Sequence, residues 1–188
     1  NSFWSASFQL CSILTVMSLS YLNFHKFVFM NRTALFPGSF DPFTAGHLNI
    51  LARALTMFDE VVVAIGINQD KVGFFDNSQK KEIIVQAVAG MPDVSIIEYD
   101  GLTVDVCRGL GIHHIVRGVR NMLDFENERA IADANRRLAP DIETIIIPTA
   151  QEFAHISSSA VRDIIRHNGD TSLFLPEGVR LPCPKKMR

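Results

Sequence analysis

The chain has 188 residues, 47% of them apolar, and a formal net charge of -2. That length supports one good hydrophobic core and predicts a single domain. The small net charge argues against the broad basic surface with which proteins bind nucleic acid. The three cysteines are odd in number and far apart, which indicates free thiols in a reducing compartment.

Residues 1–29 differ in composition from the rest of the chain. They carry one formally charged side chain, Lys26, and an apolar run at 13–22. No basic residues precede this run, no clear cleavage site follows it, and it is short and diluted by serine for a membrane span. Met30 stands just before the first strand pattern. We therefore expect 1–29 to be a non-native or disordered extension and 30–188 to form the domain, with a membrane anchor as the alternative.

Strand patterns alternate with helix patterns from Met30 onward. The strand patterns lie at 33–36, 61–66, 94–99, 113–117 and 143–147. The helix patterns lie at 48–58, 83–88, 103–110, 123–138 and 160–165. The apolar runs of the strands are mostly continuous, as in a parallel sheet that is covered on both faces. The alternation predicts an α/β fold, a Rossmann-like, doubly wound, five-stranded parallel sheet in a single domain.

The segment after the first strand predicts a phosphate site. A sharp turn is expected at Pro37 and Gly38, a second bend at Asp41, and a helix that opens at Thr44. A strand, loop and helix start in this order place free N–H groups and the positive end of the helix dipole at one point. His47, in the first helical turn, is expected to donate a hydrogen bond to a phosphate oxygen there. The alternative is that His47 only closes the helix start.

Basic side chains follow two other strands. In a doubly wound sheet, ligands bind beyond the carboxyl ends of the strands, where the strand order reverses. Arg117 and Arg120, just past the fourth strand, are expected to hold phosphates bidentately, with surface ion pairing as the alternative. Lys71 is weaker evidence alone, and gains weight because its loop should border the same crevice.

Two carboxylates share one face of the long helix, because Asp124 and Glu128 lie four residues apart. Like charges at this spacing destabilise a helix by roughly 0.2–0.5 kcal/mol. We therefore expect a group outside the helix to use or neutralise them. The competing interpretation is simple neutralisation by nearby arginines, namely Arg117, Arg120 and Arg129.

The last helix begins with three consecutive serines at 157–159, followed by a basic residue. They offer hydroxyls, N–H groups and the helix dipole to an anion. The sequence contains no Gly-x-x-x-x-Gly-Lys loop, no Gly-x-Gly-x-x-Gly and no Gly-x-Ser-x-Gly elbow. Two anion-binding helix starts without a protein nucleophile suit a reaction in which a substrate phosphate attacks a nucleotide and the protein positions and neutralises.

Five short segments together resemble the phosphopantetheine adenylyltransferase family of the nucleotidyltransferase superfamily. They are PGSFDP at 37–42, TAGH at 44–47, RGVR at 117–120, DFE at 124–126 and ISSS at 156–159. The resemblance covers about 31–179. It implies that ATP and 4′-phosphopantetheine react to give dephospho-CoA and pyrophosphate, with Mg²⁺ carried on the triphosphate and no metal ligand from the protein. It also implies a cytoplasmic homohexamer with neither nucleic-acid nor membrane partners.

The resemblance also assigns roles to residues. His47 would stabilise the transition state. The residues expected to hold ATP are Ser39, Phe40, His47, Gly118, Val119, Arg120, Glu128, Phe153, Ala154, His155, Ile156, Ser157, Ser158 and Ser159. The residues expected to hold phosphopantetheine are Ser39, Lys71, Thr103 and Arg117.

Three places depart from the family pattern. Residues 76–81 lack the usual Thr-x-Glu-Glu-Arg helix start, and Asn127 stands where tyrosine is common. Pro182 and Pro184 prevent the usual C-terminal helix over 181–188.

Two other functions remain open at this point. One is a nucleotidyltransferase that uses CTP or another acceptor, and the other is a nucleotide-binding regulatory module without catalysis. The enzyme interpretation requires that Gly38, His47, Arg120 and Ser158 line one cavity.

Overall fold

A parallel five-stranded sheet forms the centre of the computed structural model, which describes residues 32–67 and 73–183. Its strands are β1 (Thr33–Gly38), β2 (Glu60–Gly66), β3 (Val94–Tyr99), β4 (His114–Val119) and β5 (Glu143–Pro148). Its helices are α1 (Ala45–Ala54), α2 (Asn77–Ala87), α3 (Thr103–Leu110), α4 (Met122–Leu138) and α5 (Ser158–Arg166). The described residues from Thr33 onward belong to one compact unit. The α/β prediction is confirmed.

The strands lie in the order β3-β2-β1-β4-β5, all parallel. This is the doubly wound arrangement, and its order reverses between β1 and β4. The predicted carboxyl ends of β1 and β4 were wrong. β1 continues through Gly38, because Pro37 and Gly38 keep their register with β2, and the chain turns at Asp41, where the second bend was predicted. β4 extends to Val119, so Arg117 lies inside the strand and not at its end.

β1 and β4 separate soon after they begin. In the described part of the chain, β1 pairs with β4 only at Ala34–His114 and Leu35–Ile115, whereas its register with β2 runs over the whole of β1. Pro37 has no N–H to give to a neighbouring strand. Its carbonyl instead accepts a hydrogen bond from Arg117 Nη1. The two strands therefore open a crevice where the strand order reverses.

The sheet is buried on both faces. Successive β1 side chains point to opposite sides, so Phe36 packs in a cluster with α1 and α2, and Leu35 in a second cluster with α3. The first cluster includes Phe43, Ile50, Leu51, Ile83 and Ile84. The second includes Val104, Cys107, Ile115 and Ile142. This two-sided burial explains why the strand sequences are continuous apolar runs.

Helix α1 lies directly on β4 because residue 118 has no side chain. A Cβ at Gly118 would lie 2.7 Å from Ile50 Cγ1, far inside van der Waals contact. Ile50 is buried and belongs to the same helix as His47. Gly118 therefore allows α1 to bring His47 close to the end of β4.

Helix α4 differs from its neighbours because none of its residues is fully buried. Asp124, Phe125, Glu128, Ala132 and Asn135 are half-buried, and the helix packs beside β4 and β5. The stripe that predicted the helix is instead exposed in this single chain. It consists of Leu123, Ala130, Ile131, Ala134 and Leu138. The helix was predicted correctly, but its apolar stripe does not face the sheet.

Helix α2 begins in a capping box, despite the departure at 76–81. The Asp76 side chain accepts the Gln79 N–H at 2.9 Å, and the Gln79 side chain accepts the Asp76 N–H at 3.1 Å. This pair satisfies the free donors that the family's usual threonine and glutamate would be expected to satisfy. The helix start is therefore intact.

The C-terminal segment 179–183 has no regular secondary structure. It is attached to α2, where Gln79 donates to the Cys183 carbonyl and Gln86 exchanges two hydrogen bonds with Arg180. The described part of 181–188 is thus not helical, as its prolines predict. No described helix is long and apolar enough to span a bilayer. The predictions for 1–29 lie outside the described residues.

Candidate active site

Two adjoining cavities open at the carboxyl end of the sheet. The larger, called here the main cavity, has a volume of about 380 Å³ and lies where β1 and β4 separate. Gly38, His47, Arg120 and Ser158 all line it. The requirement that these four residues share one cavity is therefore met.

The second cavity, called here the side cavity, has a volume of about 330 Å³. Ser39, Thr103 and Arg117, three of the four residues predicted to hold the acceptor, line it. Lys71, the fourth, lies outside the described residues. The two cavities share Pro37, Gly38, Ser39 and Arg117. A group bound at Ser39 and Arg117 therefore lies at the junction of two ligand spaces.

His47 is oriented by its own helix start. Thr44 caps α1, and its backbone N–H donates to His47 Nδ1 at 3.0 Å. Because Nδ1 accepts this bond, the proton of the neutral imidazole lies on Nε2. Nε2 has no hydrogen-bond partner among the described residues. The capping box thus leaves one N–H donor for a ligand, so the structural and functional interpretations of His47 are compatible.

The His47 imidazole is held in its neutral form. Burial lowers its pKa to about 4, and the positive charges of Arg120 and Arg117 act in the same direction. A neutral ring with Nε2–H donates a hydrogen bond without transferring a proton. This is the chemistry required to stabilise negative charge that builds on a phosphate oxygen.

Phe40 supports this arrangement through its ring. Its side chain is buried, and its ring contacts the His47 ring edge-on at a centroid distance of 5.2 Å. The residue adopts a φ of 44°, and its ring folds over Gly38, where a Cβ would lie 2.8 Å from Phe40 Cζ. Glycine at 38 is therefore needed for the ring to fold back, and Phe40 holds the imidazole from the side.

Arg117 forms a two-point ion pair with Glu128. Its Nε and Nη2 donate to the two carboxylate oxygens at 2.7 and 2.6 Å, and the side chains are 25% and 15% exposed. Parallel bonds of this kind fix the plane of the guanidinium. Both oxygens of Glu128, predicted to hold ATP, are thus engaged by Arg117.

Arg120 pairs with Asp124 at the entrance of α4. Its Nε lies 2.9 Å from Asp124 Oδ2, and its Nη1 lies 3.5 Å from the Ile156 carbonyl. Arg129 pairs with Glu126 and Asp133 instead. Neutralisation of Asp124 and Glu128 by nearby arginines is therefore confirmed for Arg120 and Arg117, and was wrong for Arg129.

The start of α5 closes the main cavity. Ser157 caps the helix by accepting the Ala160 N–H, and the Ser158 hydroxyl donates to the Pro42 carbonyl at 2.8 Å. These hydroxyls are thus already used to shape the site. What the helix start offers an anion is chiefly its N–H groups and the dipole.

Four residues predicted to contact ATP do not line the main cavity. They are Val119, Phe153, Ala154 and His155. The Val119 side chain is buried, and the His155 ring faces Phe174 at 6.1 Å. The remaining predicted ATP residues do line it, namely Ser39, Phe40, His47, Gly118, Arg120, Glu128, Ile156, Ser157, Ser158 and Ser159. Their ligand contacts stay predictions.

The structure adds residues that were not predicted for the site. Thr149 and Arg162 line the main cavity, and Tyr99, Ile131 and Asn135 line the side cavity. Tyr99 ends β3, so the rule that sites follow strand ends points to it. Ile131 and Asn135 carry no such signal, because the sequence does not show which side of α4 faces the sheet.

The lowered His47 pKa leads to a prediction about pH and stability. The unfolded chain binds a proton at His47 below about 6.5, whereas the folded chain binds it only below about 4. The stabilisation from this residue is therefore complete above pH 6.5 and is lost as pH falls from 6.5 to 4, by up to about 3 kcal/mol. Urea unfolding between pH 7 and 4 measures it. His47→Asn should remove this part of the pH dependence, and an unchanged slope in that variant would contradict the assignment.

Comparison with known proteins identifies the family. The Cytidylyltransferase-like family model matches residues 35–164. The phosphopantetheine adenylyltransferase of Flavobacterium psychrophilum is 50% identical over 150 residues, which are 80% of this chain and 99% of that protein. The enzyme of the same name from Porphyromonas gingivalis is 48% identical over 145 residues, 77% of this chain and 94% of that protein.

A solved structure agrees in fold at much lower identity. It is a bifunctional NMN adenylyltransferase/ADP ribose pyrophosphatase from Francisella tularensis, with a TM-score of 0.61 and 18% identity over 78% of this chain and 45% of that one. The long matches at high identity show the family, whereas the similarity to the Francisella tularensis structure supports only the fold. With the crevice between β1 and β4, the oriented His47 and the paired arginines already in place, the chain belongs to the phosphopantetheine adenylyltransferase family.

Proposed function

We propose that this chain transfers the adenylyl group of ATP to 4′-phosphopantetheine, giving dephospho-CoA and pyrophosphate. The observation that carries the proposal is the junction of the two cavities at Ser39 and Arg117. One ligand in each cavity would bring its reacting phosphate to that junction. The names of the curated relatives supply the identity of the acceptor.

The geometry suits direct transfer between the two ligands. An oxygen of the acceptor phosphate forms the new bond to the α-phosphorus of ATP, and the bond from that phosphorus to the bridging oxygen of the β-phosphate breaks. Negative charge moves onto the phosphate oxygens and the departing pyrophosphate. His47 Nε2–H, Arg120 and the start of α5 line the cavity where this charge develops, and donors fixed before the reaction stabilise it without reorganisation.

Mg²⁺ is proposed to enter with the triphosphate as part of the substrate. Among residues 32–67 and 73–183, no group of three or more His, Cys, Asp or Glu side chains is placed to hold a metal ion. Among the residues that the structure describes, the positive groups that line the main cavity are arginines, which can bind phosphate oxygens directly. Mg²⁺ carried by the triphosphate would supply further charge neutralisation.

We also propose that the chain assembles as a homohexamer in the cytoplasm, as the resemblance implies. The exposed apolar stripe of α4 supports assembly, because Leu123 is 72% exposed and Ile131 and Leu138 are about half exposed. Contiguous apolar surface of this kind is typical of interfaces. Light scattering measures the assembly, and a monomer at micromolar concentration would contradict it.

Pyrophosphate release tests the proposed reaction. The full chain is mixed with Mg²⁺ and either ATP or CTP, with 4′-phosphopantetheine as acceptor. Pantetheine, the same acceptor without its phosphate, is the matched control because it lacks the attacking group. We expect release only with ATP and the phosphorylated acceptor. Release with CTP, or only with another acceptor, would favour a different nucleotidyltransferase, and ATP binding without release would favour a regulatory module.

A further inference from the structure

Asp124 has a carboxylate that is turned back toward the preceding strand. It lies in the first turn of α4, where Asn121 caps the helix by accepting the Asp124 N–H at 2.9 Å. The carboxylate accepts bonds from Arg120 Nε at 2.9 Å, Arg120 Nη2 at 3.3 Å and the Arg120 backbone N–H at 3.3 Å. The two carboxylate oxygens thus hold one edge of the Arg120 guanidinium and its backbone N–H.

The held arginine spans the main cavity. Arg120 follows β4, and its Nη1 reaches toward the carbonyl of Ile156, on the segment that leads into α5. Both Arg120 and Ile156 line the cavity. A free arginine side chain samples many rotamers, whereas one fixed at Nε and Nη2 presents its remaining N–H groups in one plane. The carboxylate therefore selects the orientation in which Arg120 faces the cavity.

An ion pair within α4 shows what an ordinary surface pair looks like. Arg129 and Asp133 also lie four residues apart, but they meet at 3.8 Å, and their side chains are 56% and 67% exposed. Arg120 and Asp124 meet closer and are 34% and 25% exposed. The Arg120–Asp124 pair is therefore closer and less exposed than an ordinary surface pair, which contributes little to stability.

We infer that Asp124 is a positioning residue, which holds the guanidinium of Arg120 ready for the triphosphate and does not itself bind substrate. The inference rests on the proposed function, because that function assigns Arg120 to ATP. Positioning and a purely electrostatic role predict opposite effects of removing the Asp124 carboxylate. Removing a negative charge beside a triphosphate should by itself favour ATP binding, whereas losing the orientation of Arg120 should slow turnover.

The test is Asp124→Asn, with Asp133→Asn on the same helix as the matched control. We expect Asp124→Asn to lower kcat about tenfold while the KM for MgATP changes less than threefold. We expect Asp133→Asn to match the parent. A kcat for Asp124→Asn at the parent value, or an equal loss in Asp133→Asn, would overturn the inference.

A double-mutant cycle separates positioning from direct contact with substrate or with Mg²⁺. If Asp124 acts through Arg120, then Asp124→Asn should have no further effect in an Arg120→Ala background. A further tenfold loss in that background would overturn the inference.

A readout independent of turnover keeps failure of the proposed function distinguishable. In an NMR spectrum of the parent with MgATP, the Arg120 Nε–H should give a resolved, slowly exchanging signal that Asp124→Asn abolishes and Asp133→Asn retains. Persistence of that signal in Asp124→Asn would overturn the positioning role, whether or not the parent releases pyrophosphate with 4′-phosphopantetheine.

Discussion

Replacing His47 with alanine should lower kcat by about 10²–10³-fold, the effect of losing one preorganised donor to a developing oxyanion. The KM for MgATP should change little, because the arginines and the start of α5 remain. The reason lies in the tautomer. Thr44 donates to Nδ1, so Nε2–H is the donor that remains to stabilise the negative charge that develops in the transition state. Steady-state pyrophosphate release measures the loss.

Two further substitutions separate this catalytic role from the role in the capping box. Asparagine places its amide near the position of Nδ1 and can accept the Thr44 N–H, but it does not reach as far as Nε2. Glutamine can place an N–H₂ group near Nε2. We expect His47→Asn to keep the helix cap and to be as slow as His47→Ala, and His47→Gln to recover part of the rate. Near-parent turnover in His47→Asn would mean that His47 is only structural.

Replacing Arg117 with alanine should chiefly weaken the acceptor. Arg117 lines both cavities, whereas Arg120 lines the main cavity and not the side cavity. Losing hydrogen bonds from a charged group costs about 1.5–3 kcal/mol, so the KM for phosphopantetheine should rise roughly 10–150-fold. The KM for MgATP should rise less than threefold. Equal increases in both values would show that the two arginines do not divide the ligands in this way.

This substitution also leaves Glu128 without its partner in a half-buried position, which lowers stability. The double variant Arg117→Ala/Glu128→Gln removes the orphaned charge, so it should recover stability without recovering the acceptor KM. Arg129→Ala is the control for the loss of an arginine beside this helix, because Arg129 lines neither cavity. It should leave both KM values unchanged.

Local signals in the sequence account for most of the fold. Continuous apolar strands predict a sheet covered on both faces, and the third helix was predicted with both its ends correct, 103–110. The misplaced turn at Pro37 has a simple origin. Proline and glycine signal a turn by propensity, yet the pairing of Pro37 with Ala64 in β2 outweighs that preference. Tertiary pairing is not visible in a local window of residues.

The site was predicted less completely than the fold. Gly38, His47, Arg120 and Ser158 come from separate strand ends and helix starts, and the rule for doubly wound sheets is enough to predict that they meet. The ion-pair partner of each arginine, in contrast, could not be predicted from this rule. Arg117 pairs with Glu128 and Arg120 pairs with Asp124 because of the rotation of α4 about its axis on the sheet. The exposed apolar stripe of that helix would have suggested the wrong rotation.

The separation of β1 and β4 also bears on how ligands act on the protein. Because β1 pairs with β4 at Ala34 and Leu35 only, in the described part of the chain, the sheet consists of two parts, β3-β2-β1 and β4-β5, with a short join. A nucleotide that contacts Gly38 on one part and Arg120 on the other would connect the two parts where the backbone pairing is missing. Bound substrate would then stiffen the sheet, and the enzyme should be most rigid during turnover.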